Sequence, residues 1–304
     1  MIAYLLLILT PLFWAGNHVA AKGVADIADP LLMAFLRWGL AFLILLPFWL
    51  PKAIRQWPVI KAHFPLLFWL SLTSVGCFNT FIYLGVETTT ATNTTLMHAI
   101  IPVLILLLNR LFFKESVGGL QWLGIAASLL GVLVLITQGE LQRVASLHLN
   151  PGDIWILAAI VTWALYSITL KFKPKELEPF TFFGLSVLIG LVVIFPFALF
   201  EQGGFVVPTL ETPVWAVVVY IAIFPSILSY SFWNRGVAQL GASTAGLFIY
   251  LIPVFGTLLS ILVLNETMHS FHLVGIALIV LGIWLAVVRR VLAGIRQNRI
   301  KTVN

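Results

Sequence analysis

The chain has 304 residues, 61% of them hydrophobic and only 9% charged, with a formal net charge of +6. A soluble domain carries roughly 25% charged residues and about 45–50% apolar ones, so this composition excludes a soluble enzyme, a disordered chain and a secreted disulfide scaffold. The single Cys77 forms no internal disulfide and falls short of a thiolate metal site.

A membrane span needs about 20 mainly apolar residues. In chain order, ten such stretches are predicted: Ile2–Ala21, Leu31–Leu50, Phe64–Val86, Asn93–Phe113, Leu120–Gln138, Ile154–Lys171, Phe180–Phe200, Pro213–Val237, Ser243–Leu264 and Phe271–Val288. The first lacks a basic leader segment and holds Trp14, Asn17 and His18, so an uncleaved helix is expected rather than a signal peptide. The connections are short and carry Pro, Gly and charge as turn punctuation.

Alternating sides from a cytoplasmic N-terminus places Lys52, Arg55, Lys61, Arg110, Lys114, Lys171, Lys173, Lys175 and Arg235 on the inside. A basic tail over 290–304 joins them, while Lys22 and Arg143 fall outside and Arg37 lies within a span. Clusters of bases between apolar stretches indicate orientation in a bilayer, not nucleic-acid binding. The expectation is a multi-pass inner (plasma) membrane protein with both termini cytoplasmic.

The sequence also repeats itself. At an offset of about 149, Trp14-Ala15 meets Trp163-Ala164, Lys22 meets Lys171, and Pro30 meets Pro179. At about 151, Gly85 meets Gly236, Ile101-Pro102-Val103 meets Ile252-Pro253-Val254, and Glu115 meets Glu266. The units are 2–138 and 153–289, each with five spans. An odd number makes the second copy enter the membrane from the opposite side. The predicted fold is therefore an all-α membrane protein of two inverted five-helix repeats, an arrangement associated with alternating access.

Each repeat has a turn, an apolar helix with a central Pro, and a Glu 13 positions later: Ala91 to Pro102 to Glu115, and Ala242 to Pro253 to Glu266. With the Trp-Ala of each first helix and Arg37 in the second span, this pattern resembles the drug/metabolite transporter superfamily, in its ten-helix EamA type. The resemblance implies a carrier of small metabolites, often an exporter of amino acids or related compounds. It also implies a central cavity lined mainly by the first, third and fourth helices of each half. The alternative on the same scaffold is uptake or exchange of a nucleoside, amine or sugar-type solute.

Polar residues are costly within spans and mark candidate function. On the first helix Trp14, Asn17, His18 and Ala21 share a face, and their repeat mates Trp163, Tyr166, Ser167 and Leu170 form the same stripe. On the third and eighth helices the deep pair is Asn79 and Tyr230. Tyr83 and Asn234 lie nearer the ends, where interfacial belts are found. His98 precedes Pro102 and Tyr250 precedes Pro253, where a missing backbone donor bends the helix and frees a carbonyl. The candidate substrate-binding set is thus Trp14, Asn17, His18, Asn79, His98, Trp163, Tyr166, Tyr230 and Tyr250.

Arg37 has Ser186 as its repeat mate, which favours a structural role over attraction of an anion or contact with Asp26 or Asp29. Thr88–Thr95 reads as a solvated turn. Glu115 and Glu266 are expected to cap or anchor the last helix of each half, and Gly124, Ser128, Gly131, Gly275 and Gly282 form small-residue seams. His269 and His272 have no evident third metal ligand. No catalytic constellation is found, so a non-enzymatic carrier without cofactor or metal is expected. Its partners are a small-molecule substrate and the lipid bilayer, with no nucleic acid, as a monomer or weak homodimer. With no Asp or Glu at the predicted midplane, a facilitator or exchanger is expected, His18 and His98 being the groups suited to proton coupling.

Overall fold

A computed structural model describes residues 2–22, 29–140, 142, 148–201, 203–204, 212–263 and 267–301, with backbone alone for 21–22, 91–92 and 288–301. Ten helices in it are long and apolar enough to cross a membrane: α1 (Ile2–Ala20), α2 (Pro30–Arg55), α3 (Phe64–Val86), α4 (Asn93–Phe113), α5 (Gly119–Thr137), α6 (Pro151–Phe172), α7 (Pro179–Glu201), α8 (Thr212–Leu240), α9 (Ala242–Val263) and α10 (Ser270–Val287). Among the described residues no strand occurs. The last helix continues unbroken to Lys301.

Local chemistry sets the helix ends. Proline starts α2, α6 and α7, where its missing N–H costs nothing. Asn150 and Asp153 form a capping box on α6, and α4 and α5 stop where Lys114 and Gln138 turn left-handed, at φ 54° and 55°. The opening N–H groups of α2 lack partners within the helix. Those of Leu31 and Leu32 donate to the Glu201 carboxylate of α7, at 3.1 and 2.8 Å.

Packing follows the repeat. Helix α1 lies against α8 and α9 of the other half, and its mate α6 lies against α3 and α4. Helix α2 pairs with α7, and α5 with α10. The α5–α10 contact is the glycine seam: a Cβ on Gly131 would sit 2.6 Å from the Gly275 carbonyl, and one on Gly282 would sit 2.7 Å from the Ser128 nitrogen. Only Gly lets these backbones approach so closely.

Two irregularities recur at matched positions and have no sequence signal. Helices α3 and α8 pass through π-helical turns at Leu72–Gly76 and Ala222–Leu228. Serine hydroxyls serve carbonyls around these widened turns, Ser74 on Leu70 at 2.7 Å and Ser226 on Ile221 at 2.6 Å. Helices α4 and α9 break just before their prolines, at Ala99–Ile100 and in the 3-10 turn Phe248–Tyr250. The bends anticipated at Pro102 and Pro253 therefore begin a few residues earlier.

Polar contacts tie the halves together at both ends of the bundle. At the near end, where α1 begins, the Glu178 carboxylate accepts from Lys52 at 2.9 Å and from Arg55. The Lys52 hydrogen bond holds the Glu178 carboxyl below the usual carboxylate range. At the far end Asp153 accepts from Thr89, from Asn93 at 2.9 Å and from the Asn150 N–H at 2.8 Å. The polar run Thr88–Thr95 is thus more than a solvated turn: Asn93 is buried and fastens the first repeat to the start of α6.

Candidate functional site

Between the halves lies a cavity of about 410 Å³. Its walls come from α1, α3 and α4 of the first repeat and from α6, α8 and α9 of the second, with Arg37 added from α2 and Val132 from α5. Trp14, Asn17, His18, Asn79, His98, Trp163, Tyr230 and Tyr250 all line it. Tyr166 does not. Its ring lies behind Trp163, with centroids 5.4 Å apart, and its hydroxyl donates to Asn234.

The floor is aromatic and nearly two-fold. The repeat mates Trp14 and Trp163 meet edge to face, centroids 5.3 Å apart. Asn79 and Tyr230 are mates too, and the Asn79 amide donates to the Tyr230 hydroxyl at 3.1 Å. Residues at equivalent positions of two copies touch in this way where a pseudo-two-fold axis passes. Tyr230 also packs edge to face on Trp163 (5.4 Å) and Trp38 (5.0 Å). Phe78, which the sequence does not distinguish from lipid-facing neighbours, covers Trp163 at 4.7 Å. Edge-to-face contacts of this kind contribute about 0.5–1.5 kcal/mol each beyond area burial.

The polar groups of the wall are few. Trp14 donates its indole N–H to the Pro225 carbonyl in the α8 π-turn, at 3.2 Å. His98 Nδ1 lies 2.7 Å from the Thr94 carbonyl, which can only accept, so Nδ1 carries a proton. In its neutral form the ring keeps Nε2 as an acceptor. The His18 and His98 rings stand 6.5 Å apart. Asn17 Oδ1 and the Tyr250 hydroxyl are buried without a hydrogen-bond partner. Arg37 turns inward, its Nε donating to Ser226 and its guanidinium 5.0 Å from the centre of the Trp38 ring. It joins α2 to the α8 π-turn, and it also lines the cavity.

The near end is closed below this floor. Besides Tyr166–Asn234, the Asn109 amide donates to Ser243 at 2.8 Å, and Ser243 donates to Glu115 at 3.0 Å. Lys171 lies 4.0 Å from Glu115 and 3.2 Å from the centre of the Phe113 ring. Glu115 therefore does not cap α5, which starts after Gly118 without a side-chain cap; it bridges the repeats. Glu266 lies outside the described residues. Tyr83 and Asn234, placed by sequence in interfacial belts, occupy instead the cavity wall and the near-end closure. They are repeat mates, as are Asn17 and Tyr166.

Among the described residues no group of three or more His, Cys, Asp or Glu side chains could hold a metal ion. The rings of His269 and His272 are engaged locally, with Thr267 at 2.9 Å and the His269 backbone N–H at 3.0 Å.

The EamA-like transporter family model matches residues 1–137 and again 150–288. The chain is 29% identical over 283 residues to the uncharacterized transporter YyaM of Bacillus subtilis (strain 168), covering 92% of each. It is 26% identical over 295 residues to an uncharacterized transporter of Archaeoglobus fulgidus, covering 94% of this chain and 98% of that one. The WAT1-related protein At3g02690, chloroplastic, of Arabidopsis thaliana is 25% identical over 287 residues, covering 90% of this chain and 66% of that protein. A crystal structure of a protein 20% identical superposes with a TM-score of 0.77 over 95% of this chain and 98% of that one, which establishes the shared fold. The chain belongs to the EamA-like transporter family and is a multi-pass membrane transporter.

Proposed function

We propose that this member of the EamA-like transporter family carries small amphipathic metabolites, of the amino-acid type and its relatives, outward through the central cavity by alternating access. The carrier uses no cofactor, sits in the inner (plasma) membrane and keeps both termini in the cytoplasm, so that the closed near end faces the cytoplasm. Export and the amino-acid class rest on the family resemblance; the basic near-end loops support the orientation.

One observation carries the alternating-access reading. Tyr166 and Asn234 are hydrogen-bonded and seal the near end, whereas their repeat mates Asn17 and Tyr83 line the open cavity. Asn17 Oδ1 has no partner there. Two inverted copies that exchange conformations would exchange these contacts, so that Asn17–Tyr83 closes the far end as Tyr166–Asn234 parts. The same two interaction sets thus serve both states. A scaffold kept only for packing has no use for one set engaged and its mate set apart.

The test is counterflow in proteoliposomes loaded with a panel of amino acids and related small acids. Exchange of a labelled solute that saturates, and that a bulky Asn79→Trp substitution in the cavity wall abolishes, is the expected result. Absence of exchange for every solute by folded protein would overturn the reading.

A further inference from the structure

Arg37 is only 5% exposed within an apolar helix. An ionised residue at such depth is costly, and proteins usually offset the cost with a carboxylate. Among the described residues the ion pairs of this chain engage Lys52, Arg55 and Lys171, and none engages Arg37. Its recorded partners, the Ser226 hydroxyl and the Trp38 ring, are both neutral. Among the described residues, none that lines the cavity is an Asp or Glu.

The other repeat shows that the mechanical task needs no charge. Arg37 joins α2 to α8 through Ser226. Its mate Ser186 joins α7 to α3 by accepting a hydrogen bond from Ser71 at 3.1 Å. A pair of hydroxyls fastens the matching contact. The guanidinium is therefore surplus to fastening; Arg37 lines the cavity, and its terminal N–H groups are a donor fork.

We propose that Arg37 is the recognition point for one anionic group of the cargo, and that among the amino acids and related small acids named above the site favours a monocarboxylate with a flat apolar body over the amino acids themselves. One guanidinium balances one negative charge, and its fork matches the two carboxylate oxygens. A phosphate monoester would bring about −1.5 to −2 charges, for which the described residues of the wall offer no second permanent cation. An ammonium would find no carboxylate among the described residues of the wall, so a zwitterion gains at one end and loses at the other. The rings of Trp14, Phe78 and Trp163 accept the apolar body. This proposal rests on the cavity being the cargo site.

Binding of three probes that share a ring and differ in charge tests it: 3-phenylpropionate, phenylalanine and phenethylamine, titrated calorimetrically into purified protein. The expected affinity order is anion, then zwitterion, then amine. Arg37→Gln should weaken the anion by about 10- to 100-fold, as loss of a charge-assisted hydrogen-bond pair does. Arg37→Lys should retain part of the binding, and Ser226→Ala, which removes only the neutral fastener, should preserve the order. If R37Q does not fold, the R37K variant and the wild-type order decide. Phenylalanine or phenethylamine binding as tightly as 3-phenylpropionate would overturn the proposal, as would unchanged anion binding in R37Q. Lack of binding by all three in a protein that exchanges another solute would overturn it while leaving the carrier reading intact. Arg37-dependent anion binding in a protein that exchanges no solute would uphold the site and overturn the carrier.

Discussion

Replacing Tyr166 by Phe removes one hydroxyl and leaves the ring that packs on Trp163. The lost interaction is the hydrogen bond to Asn234, which in the proposed exchange of mate contacts belongs to the state with the near end closed. Interhelical hydrogen bonds in membranes are worth about 0.6 kcal/mol on average and up to about 1.7. At about 1 kcal/mol the substitution multiplies the near-end-open to near-end-closed ratio roughly fivefold, since about 1.4 kcal/mol is tenfold. The Lys171–Glu115 pair adds little resistance, because both side chains are 40% exposed and the separation is 4.0 Å. Asn17→Ala should act in the opposite sense, since its partner contact belongs to the other state. Spin labels at Arg110 on α4 and Arg235 on α8, both exposed at the near end, read this equilibrium by electron–electron distance measurement in nanodiscs. Y166F should raise the long-distance population about fivefold relative to the short one, and N17A should lower it. Identical distributions, or a shift in the same direction for both variants, would refute the exchange of mate contacts.

Other consequences follow from single contacts. Gly131→Val places a Cβ 2.6 Å from a backbone carbonyl, so thermal unfolding of the purified protein should show a loss of about 1–3 kcal/mol. Gly256→Ala, with nothing within 4 Å of the new Cβ, should be neutral or slightly stabilising. Cysteines introduced at Gln142 and Lys173 into a C77S background should react with an impermeant thiol reagent from opposite sides of the membrane, Gln142 from outside. Because Lys52 and Arg55 lower the folded-state pKa of Glu178, its contribution is fully present above the unfolded carboxyl value and is lost as pH falls through the lower folded value. The difference in melting temperature between wild type and Glu178→Gln, measured across acidic pH, should therefore shrink as pH drops. A difference that persists at the acid limit would show that the contact does not depend on the charge.

The class of fold is legible in the residues alone. Helices this apolar have only the bilayer as solvent, and satisfying their own backbone leaves little freedom in length or in where turns fall. The ten spans, the glycine seam and the repeat were all legible for that reason, and so were most residues of the cavity wall, because polar side chains in spans are rare. What tertiary structure decided was which side of the floor each residue serves. Asn17 and Tyr166 occupy the same place in the two repeats, yet one lines the cavity and the other closes the near end from behind Trp163. In the alternating-access reading proposed above the asymmetry belongs to the conformational state, and two copies of one pattern encode both ends alike. Tyr83 and Asn234 lie toward helix ends, where interfacial belts are found, and distance along a helix does not reveal that one lines the cavity and the other pairs with Tyr166. Arg37 carries no sequence sign of what it meets, since its partner Ser226 lies in the other repeat and the missing counter-charge is visible only once the whole wall is assembled.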